Sequence, residues 1–208
     1  MVAFFISYLL PVKPTLKSLI LFLLVVALLP YFIICFYAFP FADDFCFGWT
    51  ASENISLLQK FLNQYLYWNG RYTADVLVNL HPLITGKIIN YQIWIFVSLL
   101  ATPVVLWYLI RFFVADSLNA LIVSLLVTLF YLNYQPNVTE GIYWFIGIVN
   151  YHWGILVFIL HLIFVLKYFS ATGRMKFIFL TGSLLFLISA IGFNEIGALL
   201  IPLFYFGI

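Results

Sequence analysis

Two aspartates stand side by side at positions 43 and 44, directly after an uncharged apolar run. Adjacent carboxylates at a bilayer boundary are costly unless they meet water, a cation or hydrogen-bond donors. Such a pair can take a proton from a sugar hydroxyl as general base. It can also hold a divalent metal, Mg or Mn, against a phosphate. The plainer alternative is helix capping and solvation where a span ends, and the residue types alone leave both open. Further on, Arg71 offers a planar fork suited to phosphate oxygens, among Tyr65, Tyr67, Trp68 and Tyr72. Those rings read either as an interfacial aromatic belt or as a stacking surface for a sugar. A second group lies in residues 139–154, where Glu140, Asn150 and His152 sit among Gly141, Gly147 and Gly154, with Tyr143, Trp144, Tyr151 and Trp153. Glycines let helices approach or break, and broken helices often line cavities; a tight helix pair joined by polar side chains is the competing account. Asn194 and Glu195 open the last apolar segment in the same way. His161 reads as a packing or hydrogen-bonding residue and His81 as a loop residue, and three scattered histidines make no zinc motif.

The elements that must hold these residues are apolar. Of 208 residues, 66% are hydrophobic and only 8% are charged, and mean hydropathy is +1.15. Soluble domains average roughly a quarter charged residues, so a soluble globular domain, disorder, a coiled coil and a disulfide scaffold are all excluded. What remains is an all-α, polytopic transmembrane helical bundle, a single integral membrane domain over 1–208. Uncharged runs predict spans at about 18–39, 91–113, 118–134, 142–166 and 177–192, with a partial segment at 197–208. The first run follows Lys13 and Lys17, is longer than a signal-peptide core, and meets Pro40 where a cleavage site would need small residues; it reads as an uncleaved span. Residues 1–12 are apolar but too short to cross and are expected at the interface. Asp116 or Ser117 can cap the third span.

The loop at 40–90 is more than a linker. Thr50-Ala51-Ser52-Glu53 has a capping-box pattern that predicts a helix start. Beyond it, Ile55, Leu58, Phe61, Leu62 and Tyr65 share one face, and Ser56, Gln59, Lys60, Asn63 and Gln64 the other. The period predicts an amphipathic juxtamembrane helix, broken at Asn69-Gly70. A second short helix is expected over 72–80, stopped by Pro82.

Charge placement orients the chain. Lys13, Lys17, Arg111, Lys167, Arg174 and Lys176 fall on one side, and Lys60, Arg71 and Lys87 on the other, so the N-terminus is expected in the cytoplasm. Asp43, Asp44, Glu53, Asp75, Glu140 and Glu195 all map to the outer side or its boundary, which points to an acidic site there. The net charge of +2 gives no sign of a nucleic-acid partner. Cys35 and Cys46 have no metal spacing. Asn54-Ile55-Ser56 and Asn137-Val138-Thr139 match the glycosylation sequon. No phosphate-binding glycine loop and no internal repeat is present.

Asp43-Asp44-Phe45, Trp68-Asn69-Gly70-Arg71, Glu140-Gly141-Ile142-Tyr143-Trp144 followed by Asn150-Tyr151, and Asn194-Glu195 recur in an order that resembles the GT-C superfamily of membrane glycosyltransferases. The resemblance is to bacterial families of the GtrII-like or O-antigen-modifying kind. It implies transfer of a sugar from a polyprenyl-phosphate carrier to an outer-face glycan or lipid acceptor, in the bacterial inner membrane. By that resemblance Asp43 or Asp44 is the catalytic base or orients the acceptor, and in some members such an acid holds a divalent metal. Arg71 would pair with the donor phosphate; Trp68, Tyr72, Glu140, Trp144, Asn150, His152, Asn194 and Glu195 are candidate substrate-binding residues. Members of the superfamily are longer, so the chain is expected to be an N-terminal portion. Two other readings stand beside it: a transporter or flippase of lipid-linked glycans, which would place charges at span centres and repeat its halves, and a non-catalytic assembly subunit.

Overall fold

A computed structural model describes residues 13–207. The interfacial segment expected at 1–12 lies outside the described residues. Those described are helical with no strand, and four helices are long and apolar enough to cross a membrane. The first, α1 (Pro14–Ile34), starts with Pro in its first turn, where a missing N–H costs nothing, and tightens into a 3₁₀ turn at Cys35–Tyr37. The other long elements are α5 (Ile88–Ile110), α6 (Ser117–Asn133), α7 (Trp153–Ser170), α8 (Gly173–Ile191) and α9 (Glu195–Phe206). The four of spanning length are α1, α5, α7 with the turns from Phe145 that lead into it, and α8; α6 and α9 are shorter apolar helices. Asp116 caps α6 as expected, its Oδ1 accepting from Leu118 N at 2.8 Å and Asn119 N at 3.2 Å. Its Oδ2 also takes Lys17 Nζ at 2.7 Å, tying the start of α1 to the start of α6.

Helix α5 is central, packing against α6, α7 and the 3₁₀ turn after α1, and α7 pairs with α8. One continuous core joins Leu24 and Leu28 of α1, Tyr91, Ile95 and Leu99 of α5, Leu125 and Leu132 of α6, and Phe145, Ile148, Val149 and Phe193. The long helices carry hydrophobic side chains all round, and those facing away from the core, such as Phe22, Leu23, Val97 and Leu185, are exposed.

The 40–90 loop departs from expectation at one end. Asp43–Ser52 is already helical (α2), so Thr50-Ala51-Ser52-Glu53 ends a helix instead of starting one. The next helix, α3 (Leu57–Tyr67), begins at Ser56, whose Oγ accepts from Gln59 N at 3.2 Å. A hydroxyl N-cap bonding the N3 amide is what a helix start needs, and Ser56 supplies it where Ser52 is still inside a turn. Gly70, at φ +68°, then reverses the chain and α4 (Tyr72–Val78) follows, with a 3₁₀ turn at Pro82–Thr85. Helix α3 turns its polar face inward. Lys60 and Gln64 are buried, whereas Leu58, Leu62 and Leu66 are exposed.

Residues 139–154 are broken as the glycines suggested. Two π-helical turns, Thr139–Tyr143 and Ile148–His152, flank Phe145–Gly147, and Trp144 adopts extended backbone between them. Gly147 permits this: a Cβ there would lie 1.9 Å from Glu140 O.

Candidate functional site

Helix α2 starts at Asp43 without a side-chain cap, after Ala42 at φ +50°. A residue with Cβ pays for that positive-φ conformation. The two aspartates, consecutive in the first turn, face different ways. Asp44 turns inward and is fully buried. Its Oδ2 accepts from Tyr91 Oη at 2.7 Å and Phe41 N at 3.2 Å, and its Oδ1 faces His81 Nε2 at 3.3 Å. His81 Nδ1 accepts from Leu83 N at 3.2 Å, so the hydrogen sits on Nε2 and points at Asp44. Tyr91 Oη in turn accepts from Phe145 N at 3.1 Å. Asp44 thus joins α2, the turn after α4, α5 and the broken segment before α7. Asp43 turns outward, is exposed and has no hydrogen-bond partner among the described residues.

Arg71 is carried to the opposite wall by the contact between α4 and the Gly192 bend. Gly192 O accepts from Thr73 N at 3.0 Å and Ala74 N at 3.4 Å, satisfying two of the donors left open at a helix start. The approach needs glycine, since a Cβ would lie 2.2 Å from the Tyr72 ring and 2.5 Å from Thr73 Oγ1. Tyr72 Oη donates to Ile188 O. With the backbones so joined, Arg71 Nε donates to Glu195 Oε1 at 2.9 Å, Nη2 to Oε2 at 2.9 Å, and Nη1 to Asn150 Oδ1 at 3.2 Å. Asn194 Nδ2 holds Asn150 O at 2.6 Å and its Oδ1 caps α9 through Gly197 N. A guanidinium has five N–H donors; three are used, and two are left for a ligand. The bonds to Glu195 raise the Arg71 pKa further and lower that of Glu195.

Asp43, Arg71, Trp68, Trp144 and Asn150, all singled out in sequence, line one cavity of about 120 Å³, together with Asp75 and Tyr151. Asp75 was passed over as one more outer acid. It is 1% exposed, and its Oδ2 has no partner. Burial pushes its carboxyl up to about 6, against the lowering effect of the Asn69 side-chain hydrogen bond and the Arg71 charge. Trp144 Nε1 is also buried without a partner. A protonatable acid, an indole donor and free guanidinium N–H groups around one small space suit an oxyanion.

Three expected residues are elsewhere. His152 is buried between α5 and α6, its Nδ1 2.9 Å from Tyr131 Oη and its Nε2 3.0 Å from Thr102 Oγ1. It lies two residues from Asn150, and positions two apart in a helix do not face each other. Glu140 is exposed and lines none of these cavities. Tyr72 positions Gly192 without lining the cavity. A metal shared by Asp43 and Asp44 does not fit, because both oxygens of Asp44 already accept protein hydrogen bonds. Among the described residues no group of three or more His, Cys, Asp or Glu gathers where a metal could be held.

Two larger spaces adjoin the cavity. An apolar groove of about 360 Å³ between α7, α8 and α9 shares Tyr151 with it and continues past Ile155, Phe158, Leu200 and Phe204. A cavity of about 420 Å³ between α2 and α3 shares Asp43, Phe47 and Trp68 with it. Fold and site define an all-helical protein of long apolar helices with a polar, acid- and arginine-lined chamber at one end. Neither a family model, nor a curated protein, nor a solved structure matches the chain.

Proposed function

We propose that the protein is a multi-pass membrane glycosyltransferase of the GT-C kind, moving a sugar from a polyprenyl-phosphate carrier to a glycan or lipid acceptor at the outer face of a bacterial inner membrane. The observation that carries this reading is the wall at Tyr151, which lines both an anion-suited cavity and an apolar groove beside it. A phosphate joined to a hydrocarbon tail is the ligand that such a pair of spaces fits. The outward apolar face of α3 supports a site at a lipid surface, and the basic residues at the opposite end support a cytoplasmic N-terminus.

In this mechanism the acceptor hydroxyl gives its proton to Asp43, the exposed and unpartnered acid. The acceptor oxygen bonds to the anomeric carbon as the bond from that carbon to the phosphate oxygen breaks. The electron pair leaves with the lipid phosphate, whose added charge meets the free N–H groups of Arg71. Asp75, protonated below about pH 6, can donate its proton to that leaving oxygen. Asp44 positions Asp43 through the start of α2, and Glu195 and Asn150 hold the Arg71 fork in plane.

The test is complementation of a strain lacking the gene, scored by mass spectrometry of the envelope glycan. Asp43→Asn and Arg71→Gln should each remove the modification at unchanged protein level. An unaltered glycan from both variants overturns the transferase reading.

A further inference from the structure

The cavity between α2 and α3 has no part in holding the phosphate, and its walls are mainly apolar, from Phe47, Ile55, Tyr67 and Trp68, with a few polar side chains set among them. We propose that it binds a single hexopyranose ring, presented beside Asp43 for reaction; its purpose rests on the transferase reading, while its occupancy does not. At about 420 Å³ it lies in the size range of small-molecule sites, about 300–1,000 Å³. Asn63, Gln64 and Asn79 line it with amide groups, and Lys60 with an ammonium. Asn79 is 2% exposed; its Nδ2 donates to Gln64 Oε1 and to Asp75 O, both at 2.8 Å, while its Oδ1 is buried with no donor. A buried acceptor without a donor is costly, and a ligand hydroxyl removes that cost. Lys60 Nζ spends one hydrogen on Ala51 O and keeps two for acceptors.

At the mouth stand Tyr67 and Trp68, 81% and 74% exposed. Planar amides that exchange hydrogen bonds with vicinal hydroxyls, next to open aromatic faces that cover the C–H side of a ring, match the two-sided chemistry of a pyranose. Asp43 and Trp68 line both this cavity and the phosphate cavity, so a ring bound here lies next to the acid that takes the proton.

The experiment uses the full chain in nanodiscs and saturation-transfer NMR with the methyl glycosides of glucose, galactose, mannose and N-acetylglucosamine. At least one should bind with a roughly millimolar Kd, as expected for about a dozen ligand atoms, and should slow alkylation of Cys46, an exposed thiol on the cavity wall. Asn63→Ala and Tyr67→Ala change exposed side chains, and each should weaken binding about tenfold. A second arm compares the corresponding hexose 1-phosphate. Tighter binding that is lost in Arg71→Gln identifies the ring as the donor's sugar; equal binding by glycoside and phosphate identifies it as the acceptor's. No saturation transfer from any of these sugars, or transfer unchanged in both Asn63→Ala and Tyr67→Ala, overturns the proposal. Sugar binding that survives in a protein whose Asp43→Asn and Arg71→Gln variants both leave the glycan unaltered overturns the transferase reading alone.

Discussion

Tyr91 Oη donates to Asp44 Oδ2 at 2.7 Å, inside a site closed to solvent. This bond fastens the start of the α2 helix to the α5 helix and decides which of two adjacent acids meets a ligand. Tyr91→Phe removes one donor and should cost about 1–2 kcal/mol, whereas Asp44→Ala strands the Tyr91 hydroxyl, His81 Nε2 and Phe41 N together and should cost about 3 kcal/mol or more. Thermal unfolding in detergent measures both. In the double variant the losses should fall short of additive, as for groups in one network.

The Arg71–Glu195 pair is partly exposed, with side-chain exposures of 25% and 60%. Exposed ion pairs contribute at most about 1 kcal/mol, so Arg71→Lys should leave the melting temperature nearly unchanged. It should still lower glycan modification at least about tenfold, because an ammonium cannot reproduce the fork. Equal activity of the Lys variant would show that Arg71 acts through charge alone.

Asp75 gives a pH dependence with a definite sign. Its carboxyl rises from 3.8 to about 6 in the folded state, so between those values the native chain keeps a proton that the unfolded chain has released. Stability contributed by Asp75 is full below about pH 4, declines to about pH 6 and is flat beyond, for a fall of about 3 kcal/mol. Asp75→Asn should abolish that slope and raise the melting temperature above pH 6, while lowering transfer activity.

Gly192→Ala pushes a methyl into the Tyr72 ring and Thr73 and should cost about 1–3 kcal/mol, separating α4 from the bend that carries Glu195. Gly70→Ala meets open space and should cost only the left-handed backbone term, about 1–2 kcal/mol. Comparing the two melting temperatures tests whether close approach outweighs backbone conformation.

Sidedness is testable with the native thiols. Cys46 is exposed and Cys35 is buried. A membrane-impermeant maleimide applied to spheroplasts should label the protein, and Cys46→Ser should abolish the signal. Labelling only after the membrane is opened would reverse the orientation.

The long helices were legible in the sequence because a run of about twenty apolar residues has few other places to go. Boundaries shifted by a few residues, as at α1, where Pro14 sets the start. Arg71, Trp68, Trp144 and Asn150 were legible as polar or aromatic residues at the ends of apolar runs. Asp75 was not, because on a short helix a buried acid and a solvated one have the same local pattern. The fates of Asp43 and Asp44 were equally hidden. Neighbouring positions in sequence, they point in different directions at the start of one helix, and the partners that seal Asp44 come from Tyr91 and His81, which carry no mark of their meeting. His152 stands two residues from Asn150 in sequence but bonds Thr102 and Tyr131 on the other side of its helix, a separation that sequence spacing does not display.

The inverted α3 helix has a consequence of its own. Lys60, Asn63 and Gln64 line the cavity between α2 and α3 while the leucines of the other face look outward, so the same eleven residues are both partition and float. A helix lying so in a lipid surface would transmit load: compressing or thinning the lipid would move the partition and change the width of the cavity behind it. On the transferase proposal, turnover should therefore change with acyl-chain length in nanodiscs of defined lipid, even when the sugar and its carrier are saturating.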